Sequence, residues 1–164
     1  MGAVYTVSMA DTTIVANATL VIIHADSTAA SRGSLLEILR AGVSQNGTAT
    51  SQQLGIILGY KATAYPTVTS VTPTPHVAGG VASAIVGATT GAEATCGVDA
   101  SAEGAGAVTN VFQDGFNNLN GWLWVPTPEE RLILLPDQAI IVKMVGTPTT
   151  LTNWNAYITF REIN

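Results

Sequence analysis

Short segments of β-type sequence follow one another along this chain, separated by turn residues and interrupted by no sustained helical repeat. Thr19 to His24 reads TLVIIH, a continuous β-branched run typical of a strand covered on both faces. Leu35 to Leu39 could form one helical stripe, but no cap or longer repeat supports a helix, so we predict a strand. About eight to ten such strands, without helical crossovers, predict an antiparallel all-β sandwich or barrel and exclude a parallel sheet.

Two segments indicate which side of their strand is buried. Apolar residues occupy alternate positions in QQLGIILGYK, and WNAYITFREI has the alternation of a half-buried antiparallel strand. In the first segment, Leu54, Ile56, Leu58 and Tyr60 are predicted to share one face. In the second, the residues predicted to face inward are Trp154, Ala156, Ile158 and Phe160. Those predicted to face outward in the second are Asn155, Tyr157, Thr159 and Arg161.

The stretch from Tyr65 to Asn110 is different, because it is rich in proline and threonine at first and then in Ala, Gly and Thr. Its scattered Val and Ile residues and its near lack of charge favour long ordered loops with thin strands over a disordered linker. The β-capable pieces are Ala84 to Val86 and Ala94 to Val98.

Length and charge limit the number of domains and the kinds of partner. A chain of 164 residues has the size of a single domain, within which residues 1–18 are either an N-terminal arm or the first strand. The formal charge of -5 and the lack of a Lys/Arg cluster argue against nucleic acid. No apolar run approaches the roughly 20 residues of a spanning helix, so we expect no membrane partner, and we expect no export by the usual signal.

A search for catalytic chemistry yields little. Of the two histidines, His24 ends an apolar strand and favours a structural role, whereas His76 lies in a Pro/Thr segment typical of a solvated loop. Neither belongs to a nucleophile elbow or a zinc-binding helix motif. Glu129-Glu130 is typical of a solvated turn, and the single cysteine, Cys96, of a small packed residue. We therefore predict no enzyme activity, no cofactor and no metal site.

Two apolar stretches are interpreted as hairpins. Asn46-Gly47 is a turn pair between two apolar segments, and LILLPDQAIIVKMVG pinches at Pro136-Asp137-Gln138 with Lys143 as its single cation. Only one face of the second hairpin can line the core of its own domain, so the other must meet long loops or another subunit. The predicted subunit interface comprises Ile133, Leu135, Ile141, Lys143 and Val145.

The order of features resembles a family of small jelly-roll virion proteins of tailed bacteriophages, which form trimeric capsid decoration or cement proteins. The resemblance lies in TLVIIHADSTAASRGSLLEILRAGVSQNGT, in the TPTP segment and the small-residue middle, in GWLWVPTPEERLILLPDQAIIVKMVGTP, and in the terminal NAYITFREI. It spans most of the chain from about Thr19 onward, although residues 78–110 match poorly.

This resemblance implies a jelly-roll sandwich with long small-residue loops that forms a homotrimer on the capsid exterior after assembly in the host cytoplasm. It also implies a partner, the major capsid protein, whose subunit contacts the trimer would stabilise against the pressure of packaged DNA. The family has no fixed functional motif, so the resemblance assigns no individual residue.

Other functions remain open at the level of sequence. One is a carbohydrate-binding jelly-roll head of a tail fibre or receptor-binding protein, whose candidate aromatic residues are Trp122, Trp124 and Trp154. Alternation along the strands favours the core for these three tryptophans. Another is a single-jelly-roll shell protein, for which the chain lacks a basic arm to hold a genome; an enzyme is the last alternative.

Overall fold

The computed structural model describes residues 3–25, 35–47, 50–78, 86–87 and 94–163 of the chain. The strands of this part are β1 (Val4–Thr12), β2 (Thr19–Ala25), β3 (Leu35–Gln45), β4 (Gln53–Lys61), β5 (Thr67–Ser70), β6 (Thr74–Pro75), β7 (Val86–Gly87), β8 (Ala94–Ala102), β9 (Val108–Asn117), β10 (Trp122–Trp124), β11 (Leu132–Leu134), β12 (Gln138–Val145) and β13 (Trp154–Ile163). A short 3-10 helix, Pro128–Glu130, separates β10 from β11. The all-β prediction is confirmed.

The strands form two sheets. The front sheet has the order β10-β3-β13-β1-β6, with β11 beside β3 further along the same edge. The back sheet has the order β5-β8-β2-β12-β4-β9, with β7 beside β8. The pairs are antiparallel except β7 with β8. The molecule is therefore an antiparallel sandwich, in which Val4–Thr12 is an integral strand of the front sheet.

Early strands pair with late strands in reverse order. β1 pairs with β13, β2 with β12, β3 with both β10 and β11, and β4 with β9. The successive strands β1, β2, β3 and β4 alternate between the front and back sheets. The chain thus runs as one long double ribbon, folded over so that each successive pair of strands lies in the opposite sheet.

One large apolar core lies between the sheets. The alternation predicted for β4 and β13 is confirmed, since Leu54, Ile56 and Leu58 and the four predicted residues of β13 face this core, with Tyr60 packed at its margin. The β2 strand is buried along almost its whole length, as predicted from its continuous apolar sequence. Leu35 to Leu39 is strand, also as predicted. Trp122 and Trp154 are core residues, and Trp124 packs partly against the core.

Both predicted hairpins are wrong. β3 lies in the front sheet and β4 in the back sheet, although Asn46-Gly47 turns the chain between them. Likewise β11 pairs with β3 in the front sheet, whereas β12 pairs with β2 and β4 in the back sheet. These turns carry the chain across the sandwich, and the turn residues alone do not distinguish such a crossing from a hairpin, because local backbone geometry is similar at the bend itself.

The segment between β4 and β9 widens the sandwich. Its strand β8 pairs with β2 and extends the back sheet, and β6 pairs with β1 at the margin of the front sheet. The predicted piece Ala94 to Val98 is confirmed as part of β8, and Val86 belongs to β7, while Ala84 and Ile85 lie outside the described residues.

At one end of the sandwich, amide side chains tie the connecting loops together. Asn118 donates to Gln45 Oε1 at 2.9 Å and accepts from the main-chain N–H of Gln52 at 2.8 Å. Gln45 in turn donates to the carbonyls of Thr150 and Thr152. The described loop residues at this end, 13–18, 46–47, 50–52, 118–121 and 146–153, include no charged residue. We call it the neutral end.

Candidate functional site

The predicted interface residue Ile141 is covered by its own chain. Its side chain has no exposed surface and forms a small cluster with Ile22 and Ala139 on the outer side of the back sheet. Tyr65, Val68 and Val108 pack over that cluster. Ile141 therefore has no exposed surface to offer another subunit, because the segment after β4 and the first residue of β9 supply a covering layer.

Lys143 forms an ion pair within the chain. Its Nζ lies 2.9 Å from Glu103 Oε2, and the Glu103 carboxylate also accepts hydrogen bonds from the main-chain N–H and the hydroxyl of Thr19. Nearby, the ammonium group of Lys61 donates to the main-chain carbonyl of Glu103. Burial lowers the pKa of Lys61, and the attraction of the Glu103 carboxylate opposes that shift. Lys143 therefore forms an ion pair that holds the covering layer against the back sheet.

The other three predicted interface residues have different surroundings. Val145 is partly buried and lies against the backbone of Gly55 on the neighbouring strand. Ile133 is partly buried, and its carbonyl accepts a hydrogen bond from the Tyr60 hydroxyl at 3.3 Å. Leu135 is 49% exposed. Ile133 lies in the edge strand β11 of the front sheet, and Leu135 directly follows that strand. Both residues are away from the apolar cluster around Ile141.

An apolar surface does exist, at an edge that the sequence did not indicate. The edge strand β9 of the back sheet and the edge strands β10 and β11 of the front sheet border a cavity of about 210 Å³ between the sheets, lined by Val111, Phe112, Trp124, Glu130 and Leu132. We call these three strands and their exposed apolar residues the open edge. The exposed residues are Val111, Phe112, Leu123, Val125 and Leu135.

The backbone of the open edge disfavours pairing with an additional strand. A register shift between Leu58 and Gly59 leaves Val111 as an extra residue in β9, which is a β-bulge. On the front side, Pro126 and Pro128 interrupt the edge between β10 and β11. Bulges and prolines both discourage pairing with a further strand, so contacts at this edge would be made mainly by side chains.

The outer side of the front sheet is polar. Thr6 Oγ1 lies 2.7 Å from His76 Nε2 and 2.8 Å from Thr159 Oγ1, and Arg40 Nε donates to the same Thr159 hydroxyl at 3.2 Å. These hydrogen bonds cross four strands or strand ends, from β6 to β3. They give His76 a structural partner on the sheet.

A second polar cluster lies on the same sheet and fixes the start of β11. The carboxylate of Glu37 accepts from Arg161 Nε at 2.7 Å and from Arg131 at 3.3 Å. Glu37 itself is buried, so the two guanidinium groups compensate a charge that would be costly alone.

The outer front sheet also contains a groove beside the neutral end, which we call the Tyr157 groove. It encloses about 270 Å³ and is lined by Gly42, Ser44, Asn120, Leu123, Asn155 and Tyr157 among others. Gly42 pairs with Tyr157 across β3 and β13, and a Cβ atom on Gly42 would come within 2.6 Å of the Tyr157 ring. The absence of a side chain at Gly42 thus leaves the space that the Tyr157 ring occupies.

The residues with the most familiar chemistry occupy structural positions. The His24 ring lies 4.0 Å from the Tyr65 ring between centroids, and its Nε2 is 3.9 Å from Asp137 Oδ1. Cys96 is buried in the core, and burial raises the pKa of its thiol far above the usual value. Across the described ranges, His, Cys, Asp and Glu form no group of three placed to hold a metal ion. Within the same residues, no helix is long and apolar enough to cross a membrane.

Comparison with protein-family models, with curated proteins and with solved structures finds no match for this chain.

Sequence reasoning placed Tyr157 and Asn155 on the outward face correctly but gave them no role. A signal was present, because Tyr157 is the single aromatic residue in an otherwise polar outward set. Its pairing with Gly42, some 115 positions earlier, becomes visible only in the register of β3 and β13.

Proposed function

We propose that this chain is a structural virion protein, a homotrimeric capsid decoration protein that binds the outside of a tailed-phage head. The proposal includes a jelly-roll topology for the sandwich. Support comes from the ribbon of paired strands, β1 with β13 through β4 with β9, which alternates between two sheets. A jelly roll is an eight-stranded double sheet of this kind.

The observation that carries the proposal is the open edge. Leu123 and Val125, in and just after β10, are each 63% exposed, and Phe112 of β9 is 40% exposed and lines the cavity with Trp124. Large apolar side chains grouped at one edge of a soluble domain are typical of protein contact sites. The edge thereby replaces the β12 face as the surface through which copies of this chain, or the capsid, would be joined.

Rough magnitudes are compatible with a closed trimer. Burying the remaining exposed part of each large apolar side chain contributes on the order of 1 kcal/mol. A ring of three has three interfaces but needs only two association steps, each costing at least about 4 kcal/mol. About five apolar side chains in each interface can offset that cost. Contacts with the major capsid protein would contribute further favourable binding free energy.

Mass measurement of the free protein tests the assembly. The variant Val125→Asp places a charge on the open edge, and we expect it to be monomeric where the original chain is trimeric. Val77→Asp is the matched control, because Val77 is 70% exposed and lies just after β6 at the opposite margin of the front sheet. A monomeric original chain at micromolar concentration, or a trimeric Val125→Asp variant, would contradict the proposed surface.

Purified phage particles test the capsid role. The protein should be found on the head exterior, and particles lacking it should release DNA at a lower temperature. Particles of unchanged thermal stability would exclude a stabilising role, whatever the mass of the free protein.

A further inference from the structure

We propose that the Tyr157 groove is a binding site for a single neutral sugar residue. The site is distinct from the open edge, although Leu123 borders both, and it does not depend on the capsid role. Its position on the outer front sheet leaves it open to solvent, with Ser44 and Asn120 exposed at its mouth.

The Tyr157 ring is the aromatic surface of the groove, and the groove lies on only one side of it. Arg40 pairs with Thr159 and Ser44 pairs with Asn155, so the two lie on opposite sides of the Gly42–Tyr157 pair along the strands. The Arg40 guanidinium lies over the Tyr157 ring, 5.7 Å from its centroid, whereas the groove lies on the Ser44 side. Arg40 thus lies over the ring on the side away from the groove, and the exposed part of Tyr157 that lines the groove is where C–H groups of a sugar ring can pack.

The polar groups of the groove are uncharged and suited to hydroxyl groups. Asn155 Oδ1 accepts from the main-chain N–H of Asp11 at 3.0 Å, which directs the Asn155 amide nitrogen away from that contact as a donor. In the described part of the chain, the side chains of Ser44 and Asn120 make no hydrogen bond to protein. Together these three side chains provide donors and acceptors on the Ser44 side of the ring, as vicinal sugar hydroxyls require.

Charge and size narrow the ligand class. No lining residue is a cation, and Asp11, which holds Asn155, is an anion whose carboxylate is bonded to Asn46 at 2.9 Å. Arg40 lies on the side of Tyr157 away from Ser44 and donates to Thr159, so phosphates and acidic sugars lack a counter-charge among the lining residues. The volume of about 270 Å³ lies just below the roughly 300–1,000 Å³ of pockets that enclose drug-sized ligands. One sugar residue, free or at the end of a glycan, fits that size.

The test is an NMR titration of the full-length, isotopically labelled chain. Glucose, galactose, mannose, rhamnose and N-acetylglucosamine are the neutral probes, and sialic acid and glucose 6-phosphate are the charged ones. We expect at least one neutral sugar to give saturable shifts at Gly42, Gly121 and the side-chain amide of Asn155, with a Kd on the order of 1–10 mM. The charged probes should give none.

Two variants localise the binding. Asn155→Asp keeps an oxygen for the Asp11 N–H but removes the amide donor, and Ser44→Trp fills the groove from an exposed position. Each should weaken binding by at least about tenfold. Thr74→Trp is the control for Ser44→Trp, because Thr74 is exposed on β6, which is separated from β13 by β1. It should bind as the original chain does.

Two results would overturn the site: no saturable shift with any neutral probe, or equal binding by Ser44→Trp. The monomeric variant Val125→Asp should still bind the sugar, because Val125 is not a lining residue. Loss of assembly with retained sugar binding, or the reverse, would therefore separate this site from the proposed capsid function.

Discussion

The outer sides of the two sheets illustrate opposite ways to finish a β-sandwich. On the back sheet, Ile22, Ala139 and Ile141 are apolar and buried under Tyr65, Val68 and Val108. On the front sheet, the outer positions include Thr6, Arg40 and Tyr157, which remain partly open to solvent. Thr6 and Arg40 both form hydrogen bonds with the Thr159 hydroxyl, and the Arg40 guanidinium lies over the Tyr157 ring. An apolar outer face therefore does not by itself indicate a partner subunit, because an insertion of the same chain can cover it.

The largest expected effect tests the covering of the back sheet. Ile141→Ala should lower the free energy of unfolding by about 3 kcal/mol, because it removes a fully buried side chain from a packed cluster. Tyr157→Ala on the outer front sheet should cost less than about 1 kcal/mol. Urea unfolding followed by tryptophan fluorescence measures both. If the two variants were equally stable, the distinction between a covered and an open face would fail.

The next effect concerns the fastening of that layer. Glu103→Ala removes the partner of Lys143 and of the Thr19 N–H, and we expect a loss of about 2 kcal/mol, reduced from the cost of a fully buried pair because both side chains are partly exposed. Glu129→Ala, in the exposed 3-10 helix, is the control and should change stability by less than about 0.5 kcal/mol. Equal stability of both variants would mean that the ion pair does not hold the layer.

The hydrogen bonds of the front sheet should matter less. Thr159→Val keeps the shape of the side chain but removes the hydroxyl shared by Thr6 and Arg40, at a cost of about 1 kcal/mol. The double variant Thr6→Val/Thr159→Val removes both partners of one bond and should cost less than the sum of the single changes. Additive losses in urea unfolding would contradict a shared network.

The smallest effect is a change in pH dependence. Burial raises the pKa of Asp99, so the folded chain binds this proton more tightly than the unfolded chain does. The ionised carboxylate therefore destabilises the fold at neutral pH, and this cost disappears as the pH falls through the folded pKa towards about 3.9. Asp99→Asn should melt slightly higher than the original chain at pH 7, and the difference should vanish near pH 4. A difference that grew on acidification would give the opposite sign and exclude this explanation.

The individual strands could be predicted, but their partners could not. The alternation in β13 indicated its buried side because period-two burial is a local property of one strand. The Pro136-Asp137-Gln138 turn was mistaken for a hairpin because the same turn chemistry serves a crossing between sheets, and only β3, almost 100 residues earlier, shows that β11 belongs to the front sheet. The same limit applies to the candidate sites, since Ile141 was assigned to an interface without knowledge of what Tyr65 and Val68 would cover.

By itself, the sequence determined the all-β class, the residues that share one face of β4, the inward face of β13 and the core positions of Trp122 and Trp154, because these depend on residue type and local periodicity. Only the tertiary structure decided which apolar surfaces stay exposed. Three contacts join residues that are distant in the chain: the covering of Ile141, the ion pair of Lys143 with Glu103, and the packing of Tyr157 over Gly42. The exposure of Val125 at the open edge likewise depends on how the strands are arranged. Such contacts follow from strand order and register, which the balance of the whole core determines and no short stretch of sequence specifies.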